Sequence, residues 1–221
     1  STEVIAGLAY WSDSYLPLGP LPEKWSEVTD PLHALKHIAN QVQSEAWTFK
    51  QDENAFLIYH RMLNVSQQPD FLQAVSSLNA EHGIDLNALS VAAINLYAAT
   101  DDDITALHGV TASHALRILS PYIGDMKSAM RYFWQSLCAA YLSLEAPMLT
   151  MKIPVSSTQH GCGWSELFEA ACGFKNEHCI KLIFSCHEEY RATGESLFHQ
   201  VAVWKARDVF IATTDATAAS C

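Results

Sequence analysis

Apolar residues recur along this chain three and four positions apart, the spacing of helices that bury one face. Two-residue alternation over strand length is hard to find. The best candidate is TMKIPV at 150–155, and a proline interrupts it. The pattern predicts helices over 2–15, 31–47, 53–64, 69–81, 85–99, 103–119, 125–144, 164–172, 177–191 and 195–212.

Local signals mark many of the ends. Asp30-Pro31 is an N-cap followed by proline at the first helical position. Asp85 caps the helix after His82-Gly83, and the acidic run Asp101–Asp103 suits a helix N-terminus. Leu16 to Pro22, with three prolines and a glycine, reads as a rigid extended linker. Residues 148–163 form the longest irregular stretch, and the small polar tail after 212 reads as frayed. The expected fold is all-α: one domain over 1–221 of about nine helices, arranged as a bundle or as layered helix pairs. No fixed-period repeat points to a solenoid.

Composition narrows the function. Of 221 residues, 49% are apolar and 17% charged, enough for a large core with a surface that another chain or missing chain could cover. A formal charge of −11 repels a phosphate backbone, so nucleic acid is excluded as an expected partner. No apolar run reaches the roughly 20 residues that span a bilayer, so no membrane association is expected. Six cysteines without a CxxC pair suit reduced, buried thiols and a cytoplasmic setting. The abrupt Ser-Thr-Glu opening reads as the start of a fragment of something longer.

Ten histidines are the main candidates for chemistry. His33 and His37 share one helix face and could bind one metal, or simply face solvent. His108 and His114 lie six apart, some 120° around an ideal helix, so both cannot aim at one ion. Gly109 and its small neighbours would let another helix approach closely. His178 and Lys181 share a face, while Glu177 and Lys181 are four apart in the favourable order for an ion pair. The apolar stretch after Lys181 would draw that lysine inward, where it becomes reactive or metal-competent. His187, Glu188 and Glu189 look like a charged helix surface, and the tryptophans like core anchors.

Two segments together, LHGVTASHALRIL (107–119) and NEHCIKLIFSCHEEY (176–190), resemble the C-terminal half of the questin oxidase-like family. MRYFWQSLCAAYL (130–142), the tryptophan at 164 and AYWSDSYLPLGPLP (9–22) extend the resemblance over most of the chain. It implies an all-helical oxygenase that opens rings of aromatic, polyketide-like substrates by Baeyer–Villiger-like or dioxygenase chemistry. It also implies non-haem Fe(II) held by histidines, with a lysine ligand that can be carboxylated. Carried onto this chain, the metal residues are His108 or His114, His178 and Lys181. His108 is preferred as ligand and His114 as its support, Glu177 would orient His178 or a bound water, and Arg117 would pair with an acidic substrate group or a structural carboxylate. Family members are considerably longer, with further histidines in an N-terminal half; His33, His37 or His60 could substitute, or another chain could complete the site. Two other readings stay open: a cofactor-less oxidase using NADPH, and a non-catalytic helical interaction domain.

Overall fold

The computed structural model describes residues 9, 12, 15–153 and 162–218, with side chains of the last helix described as far as Arg207. Among these residues the secondary structure is wholly helical. The elements are α1 (Pro31–Gln43), α2 (Ile58–Ser66), α3 (Phe71–Val75), α4 (Leu86–Ala99), α5 (Ile104–Leu119), a 3-10 turn (Ser120–Tyr122), α6 (Met126–Ser143), α7 (Trp164–Cys172), α8 (Glu177–Thr193) and α9 (Ser196–Ala218). Of the helix expected over 2–15, Ala9 and Ser12 are helical, Tyr15 is not, and the other residues lie outside those described.

Short polar side chains start the helices where the sequence places them. Asp30, Asp85, Asp103, Asp125 and Asn176 each accept from a backbone N–H in the first turn that follows. Gly194, at φ 72°, closes α8 with its N–H on the Tyr190 carbonyl, a left-handed C-cap that glycine adopts without strain.

The architecture is a bundle around α4. That helix is alanine-rich and apolar on nearly every side, with Leu89, Ala92, Ala93, Ile94, Leu96, Tyr97, Ala98 and Ala99 all buried. A helix apolar all round must be enclosed, and α1, α5, α6, α8 and α9 all pack on it. Gly109 on α5 allows the close approach expected of it: a Cβ there would stand 3.4 Å from Leu137 Cδ1 and 3.8 Å from Ala93 Cβ. Trp134 of α6 is fully buried and donates its indole N–H to the Val75 carbonyl at 2.8 Å, tying α6 to the end of α3.

Three helix boundaries fall short of expectation, one because a remote segment takes its backbone groups and two because the chain turns locally. The helix expected over 69–81 shrinks to Phe71–Val75, since the carbonyls of Ser76 and Ser77 accept from Ser26 and the Asn79 N–H goes to the Val28 carbonyl. The one expected from 53 begins at Ile58, because Asp52 turns the chain by accepting the Asn54 and Ala55 N–H groups. α1 stops at Gln43 rather than Trp47: Glu45 is left-handed (φ 59°) and the Trp47 N–H returns to the Gln41 carbonyl. At the other end α9 continues to Ala218, past the expected end at 212, through an Ala/Thr run without a breaker. The five described cysteines are free thiols, and no described helix is long and apolar enough to cross a membrane.

Candidate functional site

α5 and α8 pack side by side. His108 meets His178 near their starts, and Arg117 meets Glu189 towards their ends, so the two helices run in the same direction. Both N-termini, the positive ends of the helix dipoles, therefore lie at the histidine pair.

The rings of His108 and His178 stand 5.4 Å apart, tilted by 60°. Nδ1 of His108 lies 2.7 Å from the Ile104 carbonyl one turn back. A carbonyl only accepts, so that nitrogen carries the proton and Nε2 keeps its lone pair. Nδ1 of His178 lies 3.1 Å from Oδ1 of Asn176, the residue that caps α8, and the same reasoning frees its Nε2. Two imidazoles with oriented rings and available Nε2 atoms are the usual preparation for binding a metal or moving a proton.

His108 also lines a pocket of about 220 Å³ between α2, α5 and α6, walled mainly by Ile58, Met62, Phe133 and Leu137, with Thr105 among its few polar groups. The site thus combines a half-open imidazole pair with an adjoining apolar hollow.

Lys181 lies one turn along α8 from His178, and it is not drawn inward. Its side chain is 57% exposed and its ammonium pairs with Glu177 at 3.0 Å. The buried stripe of α8 runs through Cys179, Leu182, Ile183, Cys186 and Glu189, and the helical turn sets Lys181 off that stripe. The hydrogen bond from Lys181, reinforced by its charge, holds the Glu177 carboxyl below the usual glutamate range.

His114 and Arg117 belong to a separate constellation. Arg117 makes a two-pronged hydrogen bond to Glu189, Nε to Oε1 at 2.9 Å and Nη2 to Oε2 at 2.7 Å, which raises the guanidinium pKa. Nδ1 of His114 approaches the same carboxylate at 3.8 Å, and its ring stands edge-on to Phe184. Of the two carboxylate pairings open to Arg117, the structure holds the one with a carboxylate of the protein itself.

Glu189 corrects the reading of 187–189 as a charged surface: its side chain is fully buried. His187 likewise packs against Trp164 and Phe168, with ring centroids 4.9 and 5.0 Å away, in a cluster completed by Tyr190 and His199. Position 189 falls three and seven residues after the buried Cys186 and Leu182, a spacing that carries the signal in hindsight. Arg61 of α2, which reaches Thr105 in the pocket wall, had no sequence signal at all. His33, His37 and His60 are exposed; His37 stands edge-on to Trp47 and His60 against Tyr59.

Among the described residues no three His, Cys, Asp or Glu side chains gather as a metal-binding group. His108 and His178 alone could contribute two imidazole donors to a metal, fewer than the three protein ligands of a usual non-haem iron(II) site.

Compared with known proteins, the chain matches a family model described as questin oxidase-like over residues 22–186. No curated protein and no solved structure matches it.

Proposed function

The chain belongs to the questin oxidase-like family, and from that premise we propose that it is an oxidoreductase domain whose reaction takes place where His108 and His178 meet. The substrate is a small aromatic or polyketide-like molecule held in the hollow beside His108. The observation that carries the reading is the approach of the two imidazoles to 5.4 Å at the edge of a pocket that one of them lines.

His108 and His178 would hold Fe(II) through their Nε2 atoms, with the Ile104 carbonyl and the Asn176 amide keeping both rings in the required tautomer. Iron bound there would supply activation of O₂ for oxidative cleavage of the substrate. Lys181 is the proposed third donor. An exposed i,i+4 pair is weak, so releasing Lys181 from Glu177 costs little. Its neutral amine would then take up CO₂ with loss of one proton, giving a carbamate with an anionic oxygen. Glu177, freed in the same step, can accept a hydrogen bond from His178 or water. Phe133, Met62 and Leu137 would exclude water from the bound ring.

The test is metal content and turnover of untreated protein. Stoichiometric iron, lost in both His108→Ala and His178→Ala with the fold intact by circular dichroism, supports the reading. Metal-free protein that consumes NADPH replaces it with cofactor-less chemistry. Folded protein with neither iron nor turnover leaves an interaction domain.

A further inference from the structure

We propose that the cleft between α1, the segment 24–28 and the end of α3 is a second ligand site, and that it takes a small organic carboxylate with a flat apolar body. The cleft measures about 450 Å³, within the range of small-molecule sites. It shares no lining residue with the hollow beside His108, so the inference stands apart from the reading of the histidine pair.

The walls are aromatic and apolar: the indoles of Trp25 and Trp47, Val28, and the exposed imidazole of His37. His37 stands edge-on to Trp47, with ring centroids 5.7 Å apart. Trp47 is only 7% exposed, yet its indole N–H has no acceptor among the described residues and is not sealed from solvent. Trp134 gives the contrast, since its indole N–H goes to the Val75 carbonyl. An indole nitrogen only donates, and a donor left unpaired in a buried side chain is unfavourable. Trp47 lines the cleft, so the cleft is where that donor can be met.

The remaining polar groups lean the same way. The serine hydroxyls of the cleft are already used: Ser26 donates to the Ser77 carbonyl at 2.6 Å, and Ser76 and Ser77 donate to the Gln73 carbonyl. The Lys24 ammonium pairs with no carboxylate among the described residues. None of the chain's 24 acidic residues lines the cleft. Arg131 adds positive charge over the Trp25 ring, 5.6 Å from its centre, and its guanidinium is bonded to the carbonyls of Ala80 and Glu81 rather than to a carboxylate. What is left unmatched is N–H donors and positive charge beside aromatic walls. A ligand that fits has to bring acceptors, and an anionic acceptor makes the stronger bonds.

The test is NMR of the indole N–H signals in 15N-labelled protein, titrated with 1-naphthylacetate and with the neutral 1-naphthylacetamide. The Trp47 signal is assigned as the one missing from Trp47→Phe. It is expected to shift saturably with the carboxylate while the Trp134 signal stays in place. The carboxylate should bind at least about fivefold more tightly than the amide, as a charge-assisted bond exceeds a neutral one. Lys24→Gln, at an exposed position, should reduce that preference. Trp47→Phe, which keeps a ring without the donor, should weaken carboxylate binding measured by calorimetry; the lysine variant carries the test if this one does not fold. Gln73→Trp, which fills the cleft from its exposed rim, should abolish the shift with both probes.

Equal affinity for the two probes, or a preference that survives undiminished in Lys24→Gln, overturns the assignment of an anionic ligand. A Trp47 signal that neither probe moves, or a shift that persists in Gln73→Trp, overturns the site itself. Probe bound only in the hollow beside His108 leaves the Trp47 signal in place, so the two sites fail separately.

Discussion

Replacing Glu189 by alanine tests whether the far end of the α5–α8 interface is structural. The carboxylate is fully buried and receives two charge-assisted hydrogen bonds from Arg117, whose side chain keeps 24% exposure. Removing one partner of a buried ion pair costs about 3–5 kcal/mol when the survivor is fully desolvated. Arg117 retains some water, so the loss is set at the lower end, about 3 kcal/mol. For a domain of this size each kcal/mol lowers Tm by roughly 2–4 °C, so Glu189→Ala should melt about 6–12 °C below the unaltered protein. Calorimetry and urea unfolding monitored by circular dichroism measure both quantities. The double variant Arg117→Met/Glu189→Leu should recover most of the loss, since exchanging a buried pair for well-packed apolar groups is often neutral. A loss below about 1 kcal/mol, or strictly additive effects of the two positions, would refute the argument.

Other outcomes follow from burial and hydrogen bonding. In a Cys221→Ser background at pH 8, exposed Cys172 should react first with a thiol reagent. Cys138 and Cys186, whose thiol pKa values burial pushes up, should react only as the protein unfolds; early modification of either contradicts their placement. Gly109→Ala should be tolerated within about 1 kcal/mol, because its Cβ makes ordinary contacts, whereas Gly109→Leu should cost about 1–3 kcal/mol by wedging α5 from α4 and α6. Thermal melts of the pair separate the two outcomes. Trp134→Phe should lose about 1–3 kcal/mol, because it leaves the Val75 carbonyl without its buried donor; a neutral melt would argue against that bond. Finally, carboxyl NMR should give Glu177 a midpoint below the usual glutamate range, returned to it in Lys181→Ala. Because the folded-state pKa is the lower one, the pair's stabilisation is present above the unfolded value and fades as pH falls through the folded value.

The sequence by itself determined the fold class, the starts of the helices that Asp or Asn caps, and the family. These depend on local quantities: apolar spacing, capping side chains within three residues of the N–H they accept, and motif residues that are contiguous in the chain. The pairing of Glu177 with Lys181 was legible for the same reason, since one turn of helix joins them. The parallel alignment of α5 with α8 was not legible, yet it decides which histidine meets which. It carries His108 to His178 and takes His114 and Arg117 to Glu189, a carboxylate 72 residues along the chain from that arginine. Likewise α3 ended early because Ser26 and Val28 took its backbone groups, and Arg61 met Thr105, 44 residues away, only because the fold brings α2 beside α5. Helical periodicity says which face is apolar; which partner covers that face, and whether a charge on it is buried, depends on contacts between segments remote in sequence, and packing settles those.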